Sequence, residues 1–450
     1  MVNRKASFFC IFFSTIAVFS VNYLAMFHKA FTLPRGTTMI VNGIITEYNP
    51  FHNGHKLHTS ESRSMTGADY TIAVMSGSFV QRGEPAIISK YRRTESALRC
   101  GVDLVLQLPE ITSISSAEYF AMGGVALLDH LGVCDHLCFG SEFGSVPELQ
   151  RIAEIMVEEP AEYAEAFQKN LKQGMTWPMA RNSALMSYAP ELYNVTEILN
   201  FPNNVLAIEY LKAIIRLGSR LHPVTMRRQA SQYHSLYPNS AQHASSLAIR
   251  QAVLFGENKD GLKNLMPEVS YRLMMESAEA GSLMRSNDFS EMMLYKLMSE
   301  ADQGYTKYLD VSQELSDRIR NHLQEFTSFE QFCDLIKTKN MTYVRISRSL
   351  FHILLGITDA DVEKQKMVGF APYARVLGFR KEAEPHLREI KTHASIPIIT
   401  SMSEAREKLY AEPLDLLQKG SQIENIYLAA RAVKSGVASK GDFSHPIVVI

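Results

Sequence analysis

Cysteine is scarce in this chain and its spacing is irregular: five residues in 450 (Cys10, Cys100, Cys134, Cys138 and Cys333), odd in number and unevenly spread. That usage argues against a disulfide framework and for a reducing compartment. An excess of charge is missing too. The 46 lysines and arginines stand against 47 acids, so any nucleic-acid partner has to be held by a local basic patch and not by a global field. No internal repeat or low-complexity tract appears, and a chain 46% hydrophobic and 21% charged does not have the composition of disorder. Its length allows roughly two or three ordinary cores. Cys134 and Cys138 lie close to His130 and His136, but no second ligand pair follows at a zinc spacing. The stretch "VCDHLCF" is therefore read as a buried strand, and no metal site is assigned.

One long apolar run is present. "ASFFCIFFSTIAVFSVNYLAMF", 22 mostly apolar residues behind Arg4 and Lys5, is long enough to span a bilayer and has the charge placement of a signal anchor. Met39 then opens "MIVNGIITEYNP", where a strand starts at once. Residues 1–38 are read as an upstream extension outside the functional chain, with a membrane anchor on a cytoplasmic enzyme as the alternative.

From Met39 onward, short apolar runs at 39–47, 70–76, 102–109 and 133–140 alternate with helical patterns near 54–66, 88–100 and 116–131. Strands separated by helices of this length indicate a parallel sheet of βαβ units, with ligands beyond the carboxyl ends of the strands. "VPELQRIAEIMVEEPAEYAEAFQKNL" and "NVLAIEYLKAIIRLG" read as amphipathic helices, and "RLHPVTMRR" as a further strand. The expected fold is α/β. Residues 39–261 form a Rossmann-like nucleotide-binding domain, and 262–450 a mainly α-helical, Met-rich second domain.

The stretch "EYNPFHNGHKLH" concentrates the chemistry. A strand ending at Glu47, a turn at Asn49-Pro50 and a helix beginning near Gly54 put His52 and His55 at a helix N-terminus, where backbone N–H groups and the macrodipole attract phosphate. Gly54 lets a phosphate approach the backbone closely. Two imidazoles there can donate to the oxygens of an α-phosphate as pyrophosphate leaves. The plainer account makes His52 a helix cap and His55 a surface residue. Far along the chain, "HASSLAIRQAV" places Ser245 and Ser246 at a helix start with Arg250 one turn inside, a grouping suited to the outer phosphates of ATP.

Two further segments suit other ligands. The loop "SGSFVQRGEPAIISKYRR" offers Ser76, Gly77 and Ser78 at a strand end, then Gln81 and Arg82, and then Lys90, Arg92 and Arg93 on a helix, as a place for acetate or a target base. In the C-terminal half, Lys337, Lys339, Arg345, Arg348, Arg375, Arg380 and Lys381 interleave with Tyr343, Tyr373 and Phe379, which suits an RNA backbone with splayed bases.

"HNGH" and "SSLAIR" resemble the two signatures of the H-x-G-H nucleotidylyltransferase superfamily. More narrowly, "EYNPFHNGH", "MSGSFVQRGEPAI", "GVDLVLQLP", "CFGSE", "PNNVLAIEYLKA" and "SSLAIR", in that order, are similar to the tRNA(Met) cytidine acetate ligase family from about Met39 to Ile450. The resemblance implies activation of acetate by ATP, with Mg²⁺, to acetyl-adenylate and pyrophosphate. The acetyl group then passes to N4 of the wobble cytidine of elongator tRNA(Met), without acetyl-coenzyme A. It implies His52, His55 and Arg250 as catalytic residues. The implied ATP site comprises Thr46, Glu47, Tyr48, Asn49, Pro50, Phe51, His52, Asn53, Gly54, His55, Lys56, Leu57, His58 and Thr59, together with Gly140, Asn203, Arg228, Ser245 and Ser246. Gly140 is expected to leave room for a purine or ribose, and either Asn203 or Asn204 to point inward. No protein partner is indicated. Two other functions fit parts of the pattern: a nucleotidylyltransferase acting on a phosphorylated small molecule, and an RNA-binding scaffold that binds ATP without turnover.

Overall fold

The β-branched run "VNGIIT" forms β1 (Val41–Thr46), buried along nearly its whole length, as a parallel strand covered on both faces requires. The computed structural model describes residues 39–228, 245–256 and 259–450. The apolar run before Met39 and His243 lie outside the described residues. After β1 come α1 (Asn53–Thr66), β2 (Tyr70–Met75), the two-residue strands β3 (Phe79–Val80) and β4 (Glu84–Pro85), α2 (Lys90–Arg99), β5 (Leu104–Gln107), α3 (Ala117–His130) and β6 (His136–Ser141). Later come α4 (Pro202–Leu217), β7 (His222–Arg227), α5 (Ser246–Phe255), α6 (Tyr343–Leu355), β8 (Ala374–Phe379), β9 (Ile398–Ile399), α7 (Ala411–Ser435) and β10 (Val448–Val449), with further helices between them.

The sheet runs β10-β8-β5-β2-β1-β6-β7, with β9 on β8. Strands β1, β2, β5, β6 and β7 are mutually parallel, as the alternating pattern predicts. Residues 262–450 are mainly helical, as expected, and also supply three strands. β8 pairs antiparallel with β5, and β9 and β10 add to β8, so the sheet is mixed and does not end within residues 39–261. The signal was missed because "ARVLGF" is six residues long and its hydrogen-bonding partner lies far back in the chain. The long amphipathic run also divides, at Glu159 (φ 45°) ahead of Pro160, into helices Val146–Glu158 and Ala161–Lys172. Proline cannot continue a helix, and it drives its predecessor out of the α region.

Two cores enclose the sheet. On one face α3 and α4 pack Val125, Leu128, Ile208 and Leu211 against Val41 and Leu137. On the other, Tyr48, Phe51, Tyr91 and Leu98 cover Ala73 and Val105. The helical half has its own core, and Phe79 from β3 inserts into it among Phe289, Phe351 and Tyr427. Burying one phenylalanine side chain stabilises by about 1.5–3 kcal/mol, so Phe79 holds the β3–β4 hairpin to the helical half.

Several basic residues expected at a ligand or RNA surface are structural. Lys90 is wholly buried, with Nζ 2.8 Å from Asp442 Oδ1 and 3.2 Å from Glu424 Oε2. Arg375 binds the same Asp442 with both terminal nitrogens, at 2.7 and 2.8 Å. Arg93 is buried and donates to the carbonyls of Glu47, Ser76 and Gly77. Arg348 pairs with Asp310 at 2.9 Å. Apolar packing on the same elements draws these cations inward, and carboxylates or carbonyls meet them there, because a buried charge without partners is costly.

Candidate functional site

β1 lies between β2, which leads toward one edge, and β6, which leads toward the other. That is the switch point at which open α/β sheets bind ligands. Register carries the strand ends to a common level: Thr46 pairs with Met75, Gly140 with Met226 and Ser141 with Arg227. Beyond these ends a cavity of about 1060 Å³ opens, at the upper end of the range for small-molecule sites, roughly 300–1,000 Å³.

The turn after β1 builds the floor of the site. Tyr48 takes a left-handed conformation (φ 48°) and the Asn49-Pro50 bond is cis. Asn49 is held in place when its side-chain oxygen accepts Ile87 N–H at 2.8 Å, while its buried Nδ2 finds no acceptor among the described residues. His52 then caps α1: its Nδ1 accepts Gly54 N–H at 3.0 Å, and His55 Nδ1 accepts His52 N–H at 3.3 Å. His52 is thus the helix cap that the plainer account expects, and its ring and that of His55 line the cavity. Because both Nδ1 atoms accept, the hydrogen bonding assigns the ring proton to Nε2 in each neutral imidazole. The two rings stack with centroids 3.8 Å apart, and Tyr48 and Phe51 support His55 from behind at 5.0 and 5.7 Å.

Electrostatics disfavours protonation of His55 and His58. Burial holds His55 well below the usual imidazole range, helped by His52 and the Arg228 cation, with a weak opposing pull from the Pro50 carbonyl. Burial and Arg228 push His58 down to about 4. Burial raises the Glu47 carboxyl, against Arg82, while its Oε1 accepts Gln81 N–H at 2.9 Å.

The cavity brings together Thr46, Glu47, Tyr48, Asn49, His52, Gly54, His55, Leu57, His58, Gly140, Asn203, Arg228 and Ser246. Pro50, Phe51, Asn53, Lys56, Thr59, Ser245 and Arg250 do not line it. Phe51 and Thr59 are buried, Lys56 is exposed, and Asn53 donates to the Asn264 carbonyl at 2.8 Å. Ser245 caps α5 by accepting Ala248 N–H at 3.2 Å. Arg250 donates to the Asn49 carbonyl at 2.7 Å and pairs with Glu84, so it braces the turn beneath the histidines.

Two of the expected glycines also make room for side chains of the protein itself. A Cβ on Gly54 would come within 2.8 Å of the His52 ring, so this glycine makes room for the cap itself. A Cβ on Gly140 would meet the Arg228 stem at 3.1 Å, so the neighbour there is Arg228. Of the asparagine pair, Asn203 faces the cavity and donates to Glu142, while Asn204 is buried, accepting from Phe143 N–H and donating to the Ile198 carbonyl. Glu142 also accepts the Asn204 N–H at 3.0 Å, placing a carboxylate at the N-terminus of α4. Gln81 and Arg82 enter the wall from the hairpin, and Tyr210 and Thr342 also line it. The last two gave no local signal of a site, because Tyr210 sits in an ordinary helical pattern and Thr342 reads as the cap of α6.

Comparison with known proteins follows the same outline. A family described as HIGH Nucleotidyl Transferase matches residues 39–439. A tRNA(Met) cytidine acetate ligase of Thermoanaerobacter sp. (strain X514) is 40% identical over 411 residues, covering 91% of this chain and all of that protein. One from Acetivibrio thermocellus is 38% identical over 371 residues, covering 81% of this chain and 89% of that protein. Among solved structures, Thermotoga maritima TmcAL bound with alpha-thio ATP superposes with a TM-score of 0.83 at 31% identity, over 92% of this chain and all of that one. The apo form of the same protein gives 0.85 at 32% identity, with the same coverage.

Proposed function

The chain belongs to the tRNA(Met) cytidine acetate ligase family of HIGH nucleotidyl transferases, and on that premise we propose that it joins acetate to ATP and acetylates N4 of the wobble cytidine of elongator tRNA(Met). In the first step an acetate oxygen attacks the α-phosphorus, and the bond to pyrophosphate breaks. In the second, the cytidine amine attacks the carbonyl carbon of acetyl-adenylate and AMP departs.

The observation that carries this reading is the stacked His52–His55 pair at the N-terminus of α1, with each Nδ1 held by a backbone N–H, on the wall of a cavity large enough for more than a nucleotide. Nε2–H donors fixed by backbone hydrogen bonds need no rearrangement as charge develops on the α-phosphate oxygens. Arg228 supplies positive charge beside them, and Gly140 and Asn203 close the nucleotide side. Asn49 adds a buried amide donor. Arg250 acts through the turn it braces. Mg²⁺ would travel on the phosphates of ATP, its common mode; among the described residues no group of three or more His, Cys, Asp or Glu is arranged to hold a metal.

For the RNA, Lys339, Arg345 and Lys381 of the expected cluster are exposed cations of the helical half. An anticodon-loop base is unpaired and can be swung into a pocket at modest cost. No helix among the described residues is long and apolar enough to cross a membrane. The sparse cysteines agree with a cytoplasmic site of action.

The test is direct. Purified protein with ATP, acetate, Mg²⁺ and elongator tRNA(Met) is expected to give N4-acetylcytidine at the wobble position, AMP and pyrophosphate, with no need for acetyl-coenzyme A. ATP cleavage without an added acetyl group in the tRNA mass would overturn the ligase reading.

A further inference from the structure

We propose that Glu47 is the general base that accepts the proton of the attacking cytidine amine, a role that rests on the acetate-ligase reading above. Glu47 follows β1, the strand that stands between the nucleotide side of the cavity, with Gly140 and Arg228 beyond β6 and β7, and the hairpin side, with Gln81 and Arg82. An acyl group joined to a nucleotide on the first side and a base arriving from the second would meet at this residue.

Its carboxylate is tethered at one end. Oε1 accepts Gln81 N–H at 2.9 Å, and the main-chain carbonyl of Glu47 is held by Arg93 Nη1 at 2.6 Å. Oε2 makes no hydrogen bond to a described residue. The charged and titratable groups facing the carboxylate are Arg82 and Glu84 of the hairpin, Arg250 of α5, Arg93 of α2 and Tyr210 of α4. Burial raises its pKa, Arg82 lowers it, and Glu84 raises it again. A base whose pKa approaches the working pH is the more effective one. The stacked histidines are poorly placed for this work, since their Nδ1 atoms are occupied and their Nε2 atoms carry protons.

The step balances. The N4 lone pair forms a bond to the acetyl carbon, the bond from that carbon to the AMP oxygen breaks with its electron pair leaving on AMP, and the N4 proton passes to Glu47 and then to water. Nitrogen bears positive charge in the adduct and is strongly acidic there, so a carboxylate suffices.

Hydroxylamine, a small nucleophile that traps acyl-adenylates as hydroxamates without an enzymic base, separates this role from nucleotide binding. With ATP and acetate supplied, Glu47→Gln is expected to lower the ratio of tRNA acetylation to acetohydroxamate formation by about 10²- to 10⁴-fold, the usual worth of a general base. Any loss in adenylation cancels in that ratio. In single turnover, wild-type transfer should rise with pH and level off above the Glu47 pKa, Glu47→Gln should lose the rise, and Glu47→Asp should restore part of it. An unchanged ratio, or a Glu47→Gln profile like that of the wild type, overturns the role. Should Glu47→Gln fail to fold, a wild-type transfer rate with no ionisation above the ordinary carboxylate range overturns it equally. No hydroxamate from wild type would instead bring down the acetate-ligase reading, and this role with it.

Discussion

His52 and His55 stack with ring centroids 3.8 Å apart while each Nδ1 accepts a backbone N–H of the same helix end, so one capping box sets the position and the tautomer of both imidazoles. Such a cap is worth about 1 kcal/mol to the helix. Removing either ring therefore alters fold and chemistry together, by separable amounts.

His55→Ala should cost about 2.7–4 kcal/mol of transition-state stabilisation in adenylate formation, the size seen for one preorganised donor. Acetate-dependent exchange of pyrophosphate into ATP measures it, beside ATP binding by calorimetry. Equal losses in rate and affinity would show that His55 serves binding alone.

Gly54→Ala should behave almost like loss of His52. The added methyl group meets the His52 ring at 2.8 Å, closer than real Cβ contacts come, and the ring has to leave its cap. Exchange activity should fall by about tenfold or more, the effect of losing roughly 1.4 kcal/mol of positioning. A crystal structure of the variant with the ring unmoved and full activity would refute the packing account.

Arg345 and Arg348 lie three apart on α6 and yet separate in role. Arg345→Glu, at an exposed site, should weaken tRNA binding and flatten its salt dependence. Arg348→Glu should instead destabilise the protein, because it sets a second carboxylate beside Asp310. Thermal melts and filter binding on the two single variants distinguish these effects, and identical behaviour would move the RNA site elsewhere.

Asp442 sets an acid limit on stability. Burial raises its pKa, but Lys90 and Arg375 outweigh that and hold the carboxyl well below the usual range. A group depressed in the folded state stabilises above its unfolded pKa, near 3.9, and that contribution fades as pH falls through the folded value. Asp442→Ala should cost about 3–5 kcal/mol at neutral pH, since it leaves two buried cations short of a partner. Denaturant melts at pH 7 and pH 3 should show the difference between variant and wild type shrinking at the lower pH.

Phe79→Ala should cost about 3–5 kcal/mol, the range for truncating a buried aromatic. The hairpin bearing Gln81 and Arg82 loses its anchor among Phe289, Phe351 and Tyr427. Urea melts give the stability change, and a loss under 1 kcal/mol would mean that the hairpin is held by other contacts.

Local signals were sufficient for the N-terminal strands and for α1, α2 and α3. A β-branched run between helical periods fixes a buried parallel strand regardless of what lies far away, and His52 with Gly54 and His55 forms a helix end from neighbours alone. The order of motifs identified the reaction family through its resemblance to the tRNA(Met) cytidine acetate ligases, and several of those motifs sit at strand ends, where ligands bind. Distant partners settled the rest. β8 is a strand only because β5 offers an open edge, and Lys90 and Arg375 are buried only because Asp442 returns from the chain's end to meet them. Arg250 serves the site through Asn49, and Asn203 faces the cavity while Asn204 turns inward to Phe143 and Ile198. A residue's type states which charges and hydrogen bonds it can make; which of them it does make depends on groups that only the folded chain brings within reach.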